Sequence, residues 1–412
     1  METESWLALA FAILAVALLS RALGRVYLTA PVACLALGYG LHAAGLVPSI
    51  ADEETLEVVA EATLALVLFG DAAALDAACL RKRATWVLRM LVVAMPLALL
   101  FGFLVFLAVL PDWPMWQVAL VAALLVPTDG ALGQGLLAND RVPVEVRETL
   151  SAESGLNDGL ALPAIVFIAC AAVGYEHDLQ ESNWVVFAIK QIGFGLGAGA
   201  IIGLAGALLV MRATDRGTAL RSTAILALVA LAYFSAELIG GNSLIACFCA
   251  GAALAWATPD VADEHDVGGH AGTAHRFIET DGFVLTLIAF LYVGAVLLPG
   301  AADRFQPIWL VGILAALFVV RPLAVYLSLL GTDATWRERL VFGWFGPRGL
   351  ATALFAVFAL VEFDKLEMAQ DILAIAALTV AVSALLHGAT AFLAPLFCAA
   401  PDHQTSTAGG HA

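Results

Sequence analysis

Long apolar stretches separated by short polar segments fill almost the whole chain. Each of thirteen such stretches is long enough to cross about 30 Å of hydrocarbon, so the pattern predicts thirteen transmembrane helices. The predicted spans are 5–21, 27–47, 54–75, 84–110, 115–138, 143–173, 184–211, 218–239, 242–258, 276–298, 305–330, 337–361 and 367–398. The fold class that follows is an all-α polytopic membrane protein.

The basic residues alternate along this pattern. The loops after odd-numbered spans carry thirteen arginines and lysines, whereas those after even-numbered spans carry only Arg304 and Lys365. Cytoplasmic loops are enriched in Lys and Arg. We therefore predict a cell-membrane protein with its N-terminus outside and its C-terminus in the cytoplasm.

Proline and glycine interrupt two of the spans near mid-depth, at PTDG (127–130) and GPRG (346–349). Proline lacks an amide donor and glycine weakens a helix, so both spans should break. The freed backbone groups are tolerated in a membrane only where they line a cavity or are buried in protein. The two broken spans are seven apart and cross in opposite directions, which is typical of inverted-repeat secondary transporters with a site at the midplane.

The same pattern predicts the domain organisation. We expect one transmembrane domain over residues 1–400, in which a linker helix (184–211) joins two inverted six-helix repeats (about 1–175 and 218–398). The polar residues 401–412 are predicted to form a short disordered tail.

The candidate chemistry lies in the broken fifth span and in ESGLNDG (153–159) of the sixth. A carboxylate at mid-membrane costs several kcal/mol and by default marks an ion or proton path. Residues four apart stack along one helix face, which pairs Glu153 with Asn157 and Ser154 with Asp158. We expect convergence of Thr128, Asp129, Glu153, Ser154, Asn157 and Asp158.

Composition supports a membrane protein and narrows its partners. Hydrophobic residues make up 62% of the chain and charged residues 13%, with a mean hydropathy of +0.94; soluble domains have about twice that charged fraction. The net charge of −16 lies mostly in loops and gives no indication of a nucleic-acid partner. The six cysteines lack metal-ligand spacing and are interpreted as small buried hydrophobes, and no cofactor is expected.

These residue types suit a hard monovalent cation, which prefers carboxylate, hydroxyl and carbonyl oxygens. One aspartate can hold either a proton or a cation, so Asp158 would exchange the two by competition. Because residue 157 is Asn and not a second Asp, the simplest stoichiometry is one proton for one cation, and the cycle should be electroneutral.

Four motifs resemble those of the monovalent cation:proton antiporter-1 family, the bacterial and archaeal sodium/proton antiporters related to animal sodium/proton exchangers. They are PTDGALG (127–133), ESGLNDG (153–159), LVLFGDAAALD (66–76) and GPRGLA (346–351). The resemblance implies a secondary antiporter that exchanges Na⁺, with Li⁺ and K⁺ as further candidates, for H⁺. It also implies a homodimer in membrane lipid.

The resemblance further implies residue roles. The residue matching Asp158 binds the cation and the proton in turn, supported by Thr128, Ser154 and Asp129. Glu153 is expected to pair with an arginine, for which Arg321 is the candidate, and Arg348 to stabilise the helix crossing. Some members have a glutamate where this chain has Gly70, so the third-carboxylate role passes to the neighbouring Asp71.

Other functions stay open at this point. Paired intramembrane aspartates also suit an aspartyl protease, in which both carboxylates share a proton, although no tyrosine precedes Asp129 and Asp158 follows Asn. An organic-anion transporter on a similar scaffold would call for a site short of carboxylates. More ordinary readings are a static polar network for the aspartates and a solvated loop, not a pH sensor, for the histidine- and acid-rich segment 260–275.

Overall fold

The computed structural model describes residues 7, 11–12, 14–16, 18, 29–47, 53–73, 84–130, 132–137, 139, 142–173, 184–212, 218–258, 283–362 and 366–390. Within these ranges the chain is helical and contains no strand. Most of the first predicted span, the segment 260–275 and the tail 401–412 lie outside the described residues.

The described helices correspond to the other twelve predicted spans, two of which are broken. They are α1 (Ala30–Ala43), α2 (Glu53–Ala73), α3 (Ala84–Val109), α4 (Met115–Leu124), α5 (Gln134–Leu137), α6 (Val144–Ala172), α7 (Trp184–Arg212), α8 (Thr218–Leu238), α9 (Ser243–Ala257), α10 (Phe283–Tyr292, continued by Val293–Leu297 and Leu298–Asp303), α11 (Pro307–Ser328), α12 (Trp336–Trp344), α13 (Leu350–Glu362) and α14 (Ala369–Thr390). The all-helical prediction is confirmed.

Three helices contain a five-residue π-helical segment just before a proline. The segments are Met90–Ala94 in α3, Val293–Leu297 in α10 and Ala316–Val320 in α11, and the prolines are Pro96, Pro299 and Pro322. The carbonyl four residues before a proline finds no amide partner, and in each helix that carbonyl falls inside the π-helical segment, where the hydrogen-bond register changes.

This arrangement corrects one predicted boundary. The tenth span was expected to end at residue 298, but α10 continues to Asp303. Pro299 stands in the first turn of the last α-helical segment, where its missing amide does no harm once the π-helical segment has reset the register.

Contacts between distant loops support the predicted alternation of loops between the two membrane faces. Arg304, just after α10, pairs with Asp371 in the first turn of α14 at 3.0 Å. On the opposite face, Trp86 Nε1 donates to Asp333 Oδ1 at 2.6 Å. Loops predicted to share a face therefore meet, while the side of the membrane that each face occupies stays a prediction.

The helices pack as two groups. The broken-helix bundle contains α3–α6 and α11–α14, and the second bundle contains α1, α2 and α7–α10. Within the broken-helix bundle the interrupted pair α4–α5 lies against the interrupted pair α12–α13. α6 contacts α2, α7 and α9 of the second bundle. This contact places the motif ESGLNDG between the two bundles.

A glycine stripe sets the close packing of α7 on α9. A Cβ at Gly195, Gly199 or Gly203 would overlap the carbonyl oxygens of Asn242, Ala246 or Ala250, respectively. These glycines are spaced by four and so lie on one face. Gly197, by contrast, faces open space. The structure thus shows small residues enabling close helix approach.

We expect Gly199→Ala to destabilise the protein by roughly 1–3 kcal/mol, because the new methyl group would overlap the α9 backbone. Gly197→Ala is the matched control and should be neutral or stabilising by up to about 1 kcal/mol, since alanine is the better helix former. Thermal unfolding in detergent, followed by fluorescence-detected size exclusion, compares them. Equal midpoints would contradict the packing described here.

Candidate functional site

The two chain breaks lie in direct contact. The fifth span leaves the helix after Leu124 and the twelfth after Trp344. The amide of Asp129 donates to the carbonyl of Pro347 at 2.8 Å. Since Pro127 and Pro347 stand within the breaks, local sequence explains why both helices stop, and the backbone bond between them explains how they meet.

Two charged side chains form hydrogen bonds with the unpaired backbone groups at the helix ends of this crossing. The Asp129 carboxylate accepts from the amide of Leu350, the first residue of α13, at 2.7 Å and from the amide of Leu132 at 3.2 Å. Arg348 Nη1 donates to the carbonyls of Val126 and Pro127 at 2.6 and 3.0 Å. An anion at a helix N-terminus and a cation near a C-terminus are both favourable. These contacts are the ones expected if Arg348 stabilises the helix crossing, and that role stays a prediction.

The crossing is tightly braced. A Cβ at Gly349 would overlap the Asp129 carboxylate, so glycine is required there. The amide of Arg348 donates to Ser383 Oγ at 2.7 Å, and His387 Nε2 lies 2.9 Å from the carbonyl oxygen of Trp344. His387 is a satisfied interior histidine. Sequence reasoning missed Ser383, although the Ser-x₃-His spacing in an apolar helix was an available signal.

A buried ion pair joins α6 to α11. Arg321 Nη1 and Nη2 donate to the two carboxylate oxygens of Glu153, each at 3.1 Å, so the structure places the two predicted partners in contact. Asn157 Nδ2 donates to Glu153 Oε1 at 3.2 Å and also to Thr128 Oγ1. Glu153, Asn157 and Thr128 therefore form one network with Arg321, and the predicted stacking of Glu153 with Asn157 is observed.

Asp158 differs from these carboxylates. Its side chain is only 4% exposed, and its Oδ1 has no hydrogen-bond partner among the residues that the structure describes. Ser154, one turn earlier on the same face, donates to the carbonyl of Thr128 at 2.8 Å. A buried polar oxygen without a partner is costly, so Asp158 Oδ1 is the atom of the site best placed to take up a ligand or a proton.

Asp71 approaches the site from the second bundle. α2 packs on α6 at Gly155, where an added Cβ would lie 3.3 Å from the carbonyl oxygen of Asp71. Three acidic groups lie close enough for their charges to act on Asp158, namely Asp71, Asp129 and Glu153. The positive charge of Arg348 acts on Asp158 in the opposite sense. The structure thus brings together the site residues predicted from the sequence, although the Asp129 carboxylate is directed to backbone amides. Cation ligation by any of them stays a prediction.

A small cavity opens beside Ser154. Its volume is about 20 Å³, and its polar lining comes from Thr128, Asp129, Glu153 and Ser154. That volume holds about one water-sized particle. Along α6 the cavity lies between Leu150 and Ser154, and Asp158 follows one turn further on.

Curated proteins resemble this chain over about two thirds of its length. A probable Na⁺/H⁺ antiporter of Schizosaccharomyces pombe is 27% identical over 296 residues, which cover 67% of this chain and 38% of that protein. The K⁺/H⁺ antiporter NhaP2 of Shewanella sp. strain ANA-3 is 28% identical over 281 residues, covering 66% and 46%. The match thus spans less than half the length of these relatives.

The fold also resembles a solved structure. The sodium proton antiporter MjNhaP1 from Methanocaldococcus jannaschii at pH 8 superposes with a TM-score of 0.80 at 21% sequence identity, covering 95% of this chain and 98% of that one. At this identity the likeness establishes the fold. The family model described as "Sodium/hydrogen exchanger, transmembrane" matches residues 9–397. This chain is therefore a multi-pass membrane protein that belongs to the sodium/hydrogen exchanger family.

Proposed function

We propose that the protein is a secondary antiporter that exchanges a monovalent cation for H⁺ by competition at Asp158. The observation that carries the proposal is the buried Asp158 Oδ1 without a hydrogen-bond partner in the described chain. Asp158 follows Ser154 by one turn of α6, and the Ser154 hydroxyl donates to the carbonyl of Thr128 in the unwound crossing. A proton or a desolvated cation would satisfy Asp158 Oδ1, and the two cannot occupy it together.

The surrounding groups support binding of a hard cation. Carboxylate, hydroxyl and carbonyl oxygens are the ligands such ions prefer. Asp158, Ser154 and Thr128 are the proposed ligands, with Asp71 as a further carboxylate. Asp129 contributes charge, while its oxygens hold the amides of Leu132 and Leu350.

The proposed orientation of the chain in the membrane is based on the distribution of basic residues among the loops. With the N-terminus outside, as the basic loops predict, the cavity next to Ser154 would lie on the cytoplasmic side of Asp158. Relatives are named Na⁺/H⁺ and K⁺/H⁺ antiporters, so Na⁺ and K⁺ are the cations to test first. A homodimer in the cell membrane completes the proposal.

Neither alternative function gains support. An aspartyl protease needs two carboxylates that share a proton, and here the Asp129 oxygens are engaged by backbone amides. An organic anion would meet a site that four acidic side chains surround. The family is one of transporters, not of enzymes.

The first functional prediction concerns Asp158. Asp158→Asn keeps the side-chain volume but removes the exchangeable charge, so cation-driven proton movement should fall to background. The assay is dequenching of a pH-sensitive dye in everted vesicles, with Na⁺, K⁺ and Li⁺ added in turn. Asp112→Asn, at an exposed loop position, should exchange normally. Near-normal exchange by Asp158→Asn would refute the proposed mechanism.

The second concerns the Glu153–Arg321 pair. Loss of either partner leaves a buried charge uncompensated and should destabilise the protein by roughly 3–5 kcal/mol. The double variant Glu153→Gln with Arg321→Gln should recover part of that loss. Arg304→Gln, which breaks an exposed ion pair, should cost no more than about 1 kcal/mol. Thermal unfolding measures all four, and strictly additive single losses would show that the two residues do not act as a pair.

The third concerns electroneutrality. With one exchanging carboxylate, the proton-loaded and cation-loaded sites carry the same charge, so a membrane potential, about 2.3 kcal/mol per charge per 100 mV, has nothing to act on. One-for-one exchange requires that Asp71 keep one protonation state throughout the cycle. The structure adds this condition, since it places Asp71 near Asp158.

The measurement uses proteoliposomes with a diffusion potential of an ion that the protein does not carry. The cation gradient at which exchange reverses should not change with voltage, in wild type or in Asp71→Asn. A voltage-dependent reversal in wild type that disappears in Asp71→Asn would instead assign a second proton to Asp71.

A further inference from the structure

The ring of Phe248 lies directly on the backbone of α6. A Cβ added to Gly159 would overlap Cγ, Cδ2 and Cε2 of Phe248, and the Phe248 side chain is 9% exposed. Because Gly159 follows Asp158, the ring covers α6 at the level of the proposed exchange site. The cavity beside Ser154 lies on the other side of Asp158 along the helix.

A second glycine stands one turn before this contact. Gly155 precedes Gly159 by four residues, about 6 Å along the axis, and shares its face of α6. Gly155 now faces α2, where an added Cβ would meet the Asp71 carbonyl oxygen at 3.3 Å and the Asp71 Cβ at 3.8 Å. Both glycines thus face the second bundle, with Asp158 between them in sequence.

Phe248 is held firmly by its own bundle. Added Cβ atoms at Gly199 and Gly203 of α7 would overlap the α9 carbonyls of Ala246 and Ala250, and one at Gly251 of α9 would overlap the carbonyl of Phe69 in α2. Helices α2, α7 and α9 therefore interlock through their backbones. The position of the ring is therefore fixed relative to α2, α7 and α9. Helix α6, which the ring contacts, belongs to the other bundle.

We propose that Gly159 and Gly155 are two alternative seats for the Phe248 ring, one for each access state of the exchanger. A shift of α6 by one turn toward its Ala172 end, relative to α9, would place Gly155 opposite the ring and carry Asp158 past it. Phe248 is thus a positioning residue that seals Asp158 on one side at a time. One-turn shifts of packed helices are a known kind of switching step, and this inference rests on the proposed exchange function.

Transport by alanine variants tests the two seats. Gly155→Ala should fold normally, since its methyl group meets only Asp71 here with a small adjustment, but exchange should fall by about tenfold. Adding Phe248→Ala to the same chain should restore exchange to within about twofold of that of Phe248→Ala alone. Phe248 and Gly155 are not in contact in this structure, so a purely static packing role for the ring predicts no such rescue.

Matched controls separate this effect from general changes. Gly197→Ala on α7 faces open space and Phe234→Ala removes a lipid-facing ring that is 65% exposed; both should exchange like wild type, and Phe234→Ala should not rescue Gly155→Ala. Wild-type exchange by Gly155→Ala, or a loss that Phe248→Ala does not relieve, would overturn the two-seat inference. In either case the proposed function is tested separately, by whether the wild-type protein exchanges a cation for H⁺.

Disulfide trapping gives a readout that does not depend on transport. In full-length protein with the six native cysteines replaced by serine, Phe248→Cys is combined with Gly159→Cys, Gly155→Cys or Ser151→Cys. A disulfide needs Cα atoms within about 7 Å, and Ser151 stands two turns before Gly159. The first two pairs should cross-link in membranes and the third should not. Cross-linking of the Gly159 pair alone would show that Phe248 has a single seat.

Discussion

The constraint on which the rest of the structure depends is the satisfaction of two broken helix ends inside the membrane. Backbone groups freed in hydrocarbon must find partners within the protein. The Asp129 carboxylate accepts a hydrogen bond from the amide of Leu350 in the first turn of α13. Arg348 donates to the carbonyl of Val126, just after α4. Each charge belongs to one broken helix and compensates the other. The crossing therefore depends on both broken helices being in place.

Most other buried charges in the described site are used to hold this crossing. Glu153 and Arg321 neutralise each other and bring α6 to α11, while Thr128 and Asn157 complete the same network. Such pairs cost desolvation and stabilise mainly when every hydrogen bond is made. Among the carboxylates of the described site, Asp158 is the exception, because one of its oxygens has no partner in the described chain. The proposed exchange chemistry therefore falls on a carboxylate with one oxygen that the described site leaves unpaired.

The contact between the two bundles is where the proposed mechanism would move this carboxylate. On α6, Gly155 faces α2 and Gly159 faces α9, whereas α7 and α9 approach each other closely through their backbones. In the proposed switch, α6 moves past α9 at this glycine contact. A ring seated on glycine has discrete positions, which suits a two-state switch better than a continuous slide.

Local sequence determined the helices, the two breaks and the pairing of loops on common faces. The length of an apolar stretch shows whether it can cross the bilayer. Proline and glycine break a helix at their own positions. The basic residues of each loop predict which side of the membrane that loop occupies. The Glu153–Asn157 stacking was equally local, since four residues make one turn. Tertiary structure alone decided that Asp129 accepts from an amide 221 residues away, that Asp71 lies against Gly155, and that Phe248 covers Gly159. These contacts depend on how each helix is rotated and translated against its neighbours, which packing across the whole bundle sets and no single segment encodes.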